Sequence, residues 1–214
     1  MPPVGPVLGV LGAVGGIGTS TVAAALAQVG AAVLVDADPA AGGADVLLGI
    51  EGVPGARWSG VRLAGGRLDP GAFADGLPRW GRARVLAADT RPRAEDVVTV
   101  LAAAAELGTP VIVDLGRDPA PPLLAACALV LVVVPCDPAG LAAGRAARLR
   151  CRAGSVGAVL RRGPVDADES AALLGLPALA DLPAAPRRRG TVLSAARVPR
   201  PILRAAAGIL DGLP

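Results

Sequence analysis

The sequence predicts a three-layer α/β/α domain built on a mainly parallel, doubly wound sheet. Three observations carry this expectation. Short apolar runs alternate with helical patterns along nearly the whole chain. Runs such as ALVLVVV at 128–134 are apolar at every position, as fully buried parallel strands are. Aspartates close two strand-like runs, at Asp36 and Asp114, where the binding crevice opens in such sheets.

The elements follow in chain order. Val7 to Gly12 is a short apolar strand with a glycine-rich segment directly behind it, and it is expected to be central. Ser20 to Val29 reads as a helix with Ala23, Leu26 and Ala27 along one face. Ala31 to Val35 is a buried strand ending in Asp36, and Arg84 to Ala87 is another strand. Arg93 to Leu107 is a helix closed by Gly108. Strands at Pro110 to Asp114 and Ala128 to Val134 precede an arginine-studded helix, Leu141 to Arg150. Val156 to Leu160 is a strand, Asp166 to Leu174 a helix, Ala178 to Leu182 a short strand, and Pro201 to Leu210 the last helix. The sum is about seven strands with helices on both faces. Glu51 to Gly81 is the exception: rich in Gly and Pro, containing both tryptophans, and without a period. A stretch of that length inside a compact domain carries function or a short irregular element. The 214 residues suit one domain, 1–214, with neither repeat nor linker.

Composition excludes several chemistries. The chain has no histidine, no tyrosine and no lysine; all 21 basic residues are arginine, and the net charge is +3. Schiff-base chemistry, Ser-His catalysis, histidine metal sites and a lysine-armed phosphate loop are therefore closed to it. Cys127, Cys136 and Cys151 are odd in number and lack CxxC spacing, which fits buried small hydrophobes in a reducing cytoplasm. No charge occurs from Pro2 to Val35 or from Pro119 to Cys136. Gly and Pro interrupt both stretches and no basic n-region opens the first, so neither a transmembrane helix nor a signal peptide is expected.

The chemistry concentrates in Gly12 to Thr21, GAVGGIGTST, between a strand and a helix. Glycines let backbone N–H groups turn inward, and a helix N-terminus adds a positive dipole end; together they hold phosphate. The Ser20-Thr21 doublet adds weight, because the first hydroxyl after a phosphate loop ligates Mg²⁺. The plainer alternative is a tight strand-to-helix turn with Ser20 as its cap. Asp36 and Asp38, in VLVDADP, and Asp114, in VIVD, stand at strand ends beside the crevice; alternatively they cap neighbouring helices or loops. Gly16 and Gly18 also invite a dinucleotide reading, and Asp36 and Asp38 satisfy the spacing of its ribose-binding acid.

The order GGxGTST, VDADP, VIVD and VLVVVPCDP resembles the MinD/ParA family of deviant Walker ATPases. DADPAAGGADVLLGIEGVPGARWSGV, VLRRGP and LLGLPALADLPAAP are similar to its CpaE-like branch, associated with septum-site determination and with pilus or secretion loci in actinobacteria. The resemblance runs from Val7 to Leu210. Larger members of that branch carry an N-terminal receiver-like domain, which this sequence is not expected to contain.

The resemblance implies a P-loop NTPase fold with ATP and Mg²⁺ as ligands. Gly15, Gly16, Ile17, Gly18, Thr19, Ser20 and Thr21 would wrap the phosphates. Ser20 would ligate Mg²⁺, Asp36 and Asp114 would hold the metal shell, and Asp38 would position the attacking water. The family has two loop lysines, one reaching the partner's nucleotide across a dimer and one contacting the β/γ-phosphates. Those positions are Val14 and Thr19 here. Losing a charge-assisted hydrogen bond weakens binding by roughly 10–150-fold, whereas a cation acting in trans on transferring phosphate is worth about 10³–10⁵ in rate. Weak nucleotide binding with little or no turnover is the expectation, unless an arginine substitutes from elsewhere.

From Pro183 to Leu210 there are six arginines, Arg187, Arg188, Arg189, Arg197, Arg200 and Arg204, and no acid. Ile202, Leu203, Ala206, Ile209 and Leu210 line one face of the last helix. A partner's acidic patch, an anionic membrane surface, DNA phosphates and a merely solvated face all remain open. The resulting expectation is a cytoplasmic regulator, homodimeric or membrane-associated, with a protein partner in the division or secretion machinery. An active DNA-partitioning ATPase and a Rossmann-type protein are the alternatives.

Overall fold

The computed structural model describes residues 4–38, 42–63, 67–151, 154–185 and 192–213. The strands are β1 (Val7–Gly12), β2 (Val33–Asp36), β3 (Arg79–Trp80), β4 (Ala83–Leu86), β5 (Val111–Gly116), β6 (Leu129–Pro135), β7 (Ser155–Arg161) and β8 (Ala178–Leu182). The helices are α1 (Thr19–Gly30), α2 (Ala44–Leu48), α3 (Pro70–Asp75), α4 (Ala94–Ala105), α5 (Pro121–Ala125), α6 (Pro138–Arg150), α7 (Ala167–Leu174) and α8 (Arg200–Asp211). One sheet takes the order β3-β4-β2-β5-β1-β6-β7-β8, parallel except for β3. The expected doubly wound α/β/α architecture is present, with β1 hydrogen-bonded to β5 and β6 at the centre.

Strand alternation divides the core into two layers. Leu8, Val10, Leu34, Ile112, Leu131, Val133 and Val159 face α1, α2 and α8. Leu11, Val35, Val111, Val113, Val132 and Leu160 face α3 to α7. Both faces of the sheet are thus covered, which is why its strands are continuously apolar.

Several boundaries differ from the sequence reading. An eighth strand exists because the chain turns back through Gly81, at φ 57°, and Arg79–Trp80 pairs antiparallel with β4. Two residues carry no readable period. Helices α2, α3 and α5 span five or six residues each, too short for a 3.6-residue repeat to show. Helix α6 starts at Pro138 rather than Leu141, because the Asp137 carboxylate caps it by accepting from the Gly140 N–H at 2.8 Å. Ala31 takes the left-handed C-cap of α1, at φ 49°, so β2 begins two residues later than Ala31.

The irregular stretch 51–81 is pinned at both tryptophans. The buried Trp58 indole donates to the Asp36 carbonyl at 2.7 Å, and the Trp80 indole to the Leu193 carbonyl at 3.0 Å. Arg57 ties the same stretch to α2 through Asp45 at 2.8 Å. At the C-terminal end, Ile202, Ala206 and Ile209 bury the apolar face of α8 beside α1 and β8, leaving Arg197, Arg200 and Arg204 exposed. Arg187, Arg188 and Arg189 lie outside the described residues. Among the described residues, no helix is long and apolar enough to cross a membrane.

Candidate phosphate-binding site

The chain passes from the central β1 to β2 on one side of it and from β5 across to β6 on the other, and the glycine-rich loop emerges at this switch point. Buried Ile17 anchors the loop in the core, while Gly15 and Gly16 are exposed. Gly18 is the N-cap of α1 in the left-handed conformation, φ 92°, which a side chain rarely adopts. No side chain caps this helix, and its first turn holds no acid. The first helical hydrogen bond runs from the Val22 N–H to the Gly18 carbonyl at 3.0 Å. The N–H groups of Thr19, Ser20 and Thr21 precede it and, with the positive helix end, form an anion seat. The sequence alternative of Ser20 as the cap does not occur: Ser20 lies inside the helix, and its hydroxyl donates to Asp114.

The three aspartates converge at the ends of β2 and β5, but with different environments. Asp36 is 1% exposed and accepts three backbone N–H bonds, from Ala44 at 2.7 Å, Ala88 at 3.2 Å and Asp38 at 3.1 Å. It therefore ties α2 and the chain after β4 to β2; burial still raises its pKa against those bonds. Asp114 is 2% exposed and accepts from Ser20 and from the Gly116 N–H at 3.2 Å. Burial, with Asp36 nearby, pushes its pKa up to about 7. Asp38 is half-buried, and its carboxylate lies against Gly116, where φ is 62° and a Cβ would collide with it. Among the described residues, no group of three or more His, Cys, Asp or Glu could hold a metal ion alone. A hard cation here would need oxygens from a bound phosphate beside Ser20 and Asp114.

The two positions without lysine are occupied inwardly. The Thr19 hydroxyl lies against Gly12, where a Cβ would strike it, and Val14 packs on the α1-side core. Arginines lie close by instead. The Arg117 guanidinium carbon is 3.7 Å from where a Cβ on Gly15 would stand, and Arg161 Nη2 is 2.7 Å from the corresponding point on Gly18.

No family model matches the chain. Two uncharacterized proteins of Mycobacterium tuberculosis are 39% identical to it over 218 residues, covering 90% of this chain and 62% of theirs. The chain thus spans less than two thirds of the length of those relatives. Among solved structures, the MinD cell division protein of Aquifex aeolicus superposes with a TM-score of 0.73 at 17% identity, covering 98% of this chain and 99% of that one. A ParA family ATPase of Chlorobium tepidum gives 0.71 at 19%, covering 97% and 92%. The fold is that of the ParA and MinD ATPases. A further likeness with the same fold is a ParA bound to nonspecific DNA, at TM-score 0.61 and 12% identity, covering 97% and 98%.

The fold brings the loop, Ser20, Asp36, Asp38 and Asp114 together at the C-terminal ends of the interior strands β1, β2 and β5. The backbone role of Asp36 and the presence of Arg161 were not expected from the sequence. Asp36 works as a three-way backbone clamp, and the signal for it was weak: GGAD, eight residues downstream, is a short helix start. Arg161 stands in VLRRGP, a segment quoted only for its resemblance; one buried arginine closing an apolar strand was the available sign.

Proposed function

We propose that the chain is a nucleotide-binding regulator of the MinD/ParA type, on the CpaE-like branch, that binds ATP or ADP with Mg²⁺ and turns it over slowly or not at all. The observation that carries this reading is the uncapped N-terminus of α1, opening beside the Ser20–Asp114 pair. Gly15, Gly16, Ile17, Gly18, Thr19, Ser20 and Thr21 hold phosphate oxygens through backbone N–H groups. Ser20 and Asp114 present oxygens to Mg²⁺, which when bound offsets phosphate charge. Asp36 positions this group through the backbone at Asp38, and Asp38 orients water.

Septum-site determination or spatial control of a pilus or secretion system suits such a switch, in which bound nucleotide changes a contact with a protein partner. Dimerisation through the nucleotide edge is part of the same proposal. A dinucleotide reading is less well supported, because Asp36 is 1% exposed and both its oxygens already accept backbone hydrogen bonds, which turns it away from a ribose. The second reading is a DNA-partitioning ATPase; exposed Arg197, just before α8, and exposed Arg200 and Arg204 on α8 favour it. Calorimetric titration of ATP, ADP and NAD, with and without Mg²⁺, tests the reading. Heat from ATP or ADP that grows with Mg²⁺ supports it; heat from NAD alone overturns it. A DNA mobility shift at two salt concentrations tests the second reading.

A further inference from the structure

Arg161 closes β7 and is 3% exposed. Its Nη1 donates to the Pro183 carbonyl at 3.2 Å, while its buried Nε has no acceptor among the described residues. Among the described residues, no carboxylate lies within ion-pairing distance of it. Its Nη2 lies against Gly18, the N-cap of α1, 2.7 Å from where a Cβ would stand.

Without an anion beside it, this placement is unfavourable. A guanidinium stays charged at any physiological pH, and burying it without a counter-charge is costly. The adjacent helix end is itself positive, which adds to the cost. Both penalties reverse when an anion enters between them. The same anion satisfies the N–H groups of α1 and meets the planar donor fork of Arg161, which suits phosphate oxygens.

We propose that Arg161 supplies, from the end of β7, the positive charge that the glycine loop lacks, and that it grips a phosphate seated at the N-terminus of α1. The inference rests on the nucleotide reading above and names the residue that makes a lysine-free loop competent to bind. Phosphate, rather than the base, is the moiety it holds, because Arg161 lies against Gly18, the residue that opens α1 without a side-chain cap.

The test is calorimetry with MgADP, inorganic pyrophosphate and adenosine on wild type, Arg161→Met, Arg161→Gln and Arg82→Met, with thermal melts of each. Arg82 loses the same charge beside the β3–β4 turn, at the opposite end of the strands. Loss of one charge-assisted contact predicts roughly 10–150-fold weaker binding of both MgADP and pyrophosphate in the two Arg161 variants. Arg82→Met binds as wild type, and adenosine binding is equal in all four proteins. Without ligand, Arg161→Met melts at or above wild type, because an unpaired buried charge has gone. Folded Arg161 variants that bind pyrophosphate like wild type overturn the inference and leave the nucleotide reading intact, as does a loss confined to MgADP, which assigns Arg161 to the base. Wild type that binds neither MgADP nor pyrophosphate overturns both.

Discussion

Asp36 and Asp114 are register partners on the adjacent parallel strands β2 and β5, with both carboxylates buried. Neither faces an arginine within ion-pairing distance among the described residues. Two buried carboxylates side by side, one of them joined to Ser20, are costly to the apo fold and repay that cost when a cation arrives.

The first expectation concerns pH. The folded pKa of Asp114 is raised from 3.8 to about 7, so its contribution favours the fold fully below 3.8 and is lost as pH rises through about 7. Asp114→Asn removes that dependence. Thermal melts without nucleotide should show the variant gaining on wild type between pH 4 and pH 7, by up to roughly 4 kcal/mol at neutral pH at 1.4 kcal/mol per unit. A constant difference across that range refutes the account.

Ser20→Ala should weaken MgADP binding by about 5–30-fold, the worth of roughly 1–2 kcal/mol. In EDTA the same variant should bind ADP like wild type, since the backbone N–H groups are unchanged. Equal weakening with and without Mg²⁺ would refute the metal role.

Turnover by the wild type should be very slow or absent. Thr19→Lys replaces a side chain that rests on Gly12, and Val14→Lys replaces one packed on the core, at about 1 kcal/mol of stability. The double variant should release phosphate faster than either single variant. Robust hydrolysis by the wild type, lost in Asp38→Ala, would show that an arginine already serves catalysis.

The apolar face of α8 belongs to the fold. Ile202→Ala and Ile209→Ala should each cost about 2–4 kcal/mol in denaturant titration, and neither residue is available for membrane insertion while α8 is docked. Association through this end should instead follow charge. Reversal at Arg197, Arg200 and Arg204 should abolish binding to an acidic protein or to anionic liposomes, binding that weakens in wild type as salt shortens the screening length. Salt-insensitive binding would point to apolar contact instead.

What was legible in the chain was what repeats or what needs a special residue. Continuous apolar runs announced buried parallel strands, and the 3.6-residue pattern announced α1, α4 and α7. The glycines of 12–18 announced a loop whose backbone must turn inward. Helices α2 and α5 were silent because five residues complete barely more than one turn. The 51–81 stretch was silent because indole and guanidinium hydrogen bonds hold it, not a period.

The sequence by itself determined the doubly wound sheet, the position of the phosphate loop and the absence of lysine from it. Those properties depend on residue types at short range: apolar alternation, glycine freedom and side-chain charge. Only the tertiary structure decided that Asp36 spends its oxygens on backbone, that Asp114 faces Ser20, and that Arg161 lies against Gly18, 143 positions earlier in the chain. Each brings the end of one strand to a loop or helix start, most of them following a different strand. Their proximity is fixed by the order in which the strands pair, and the local pattern around any one of these residues carries no trace of it.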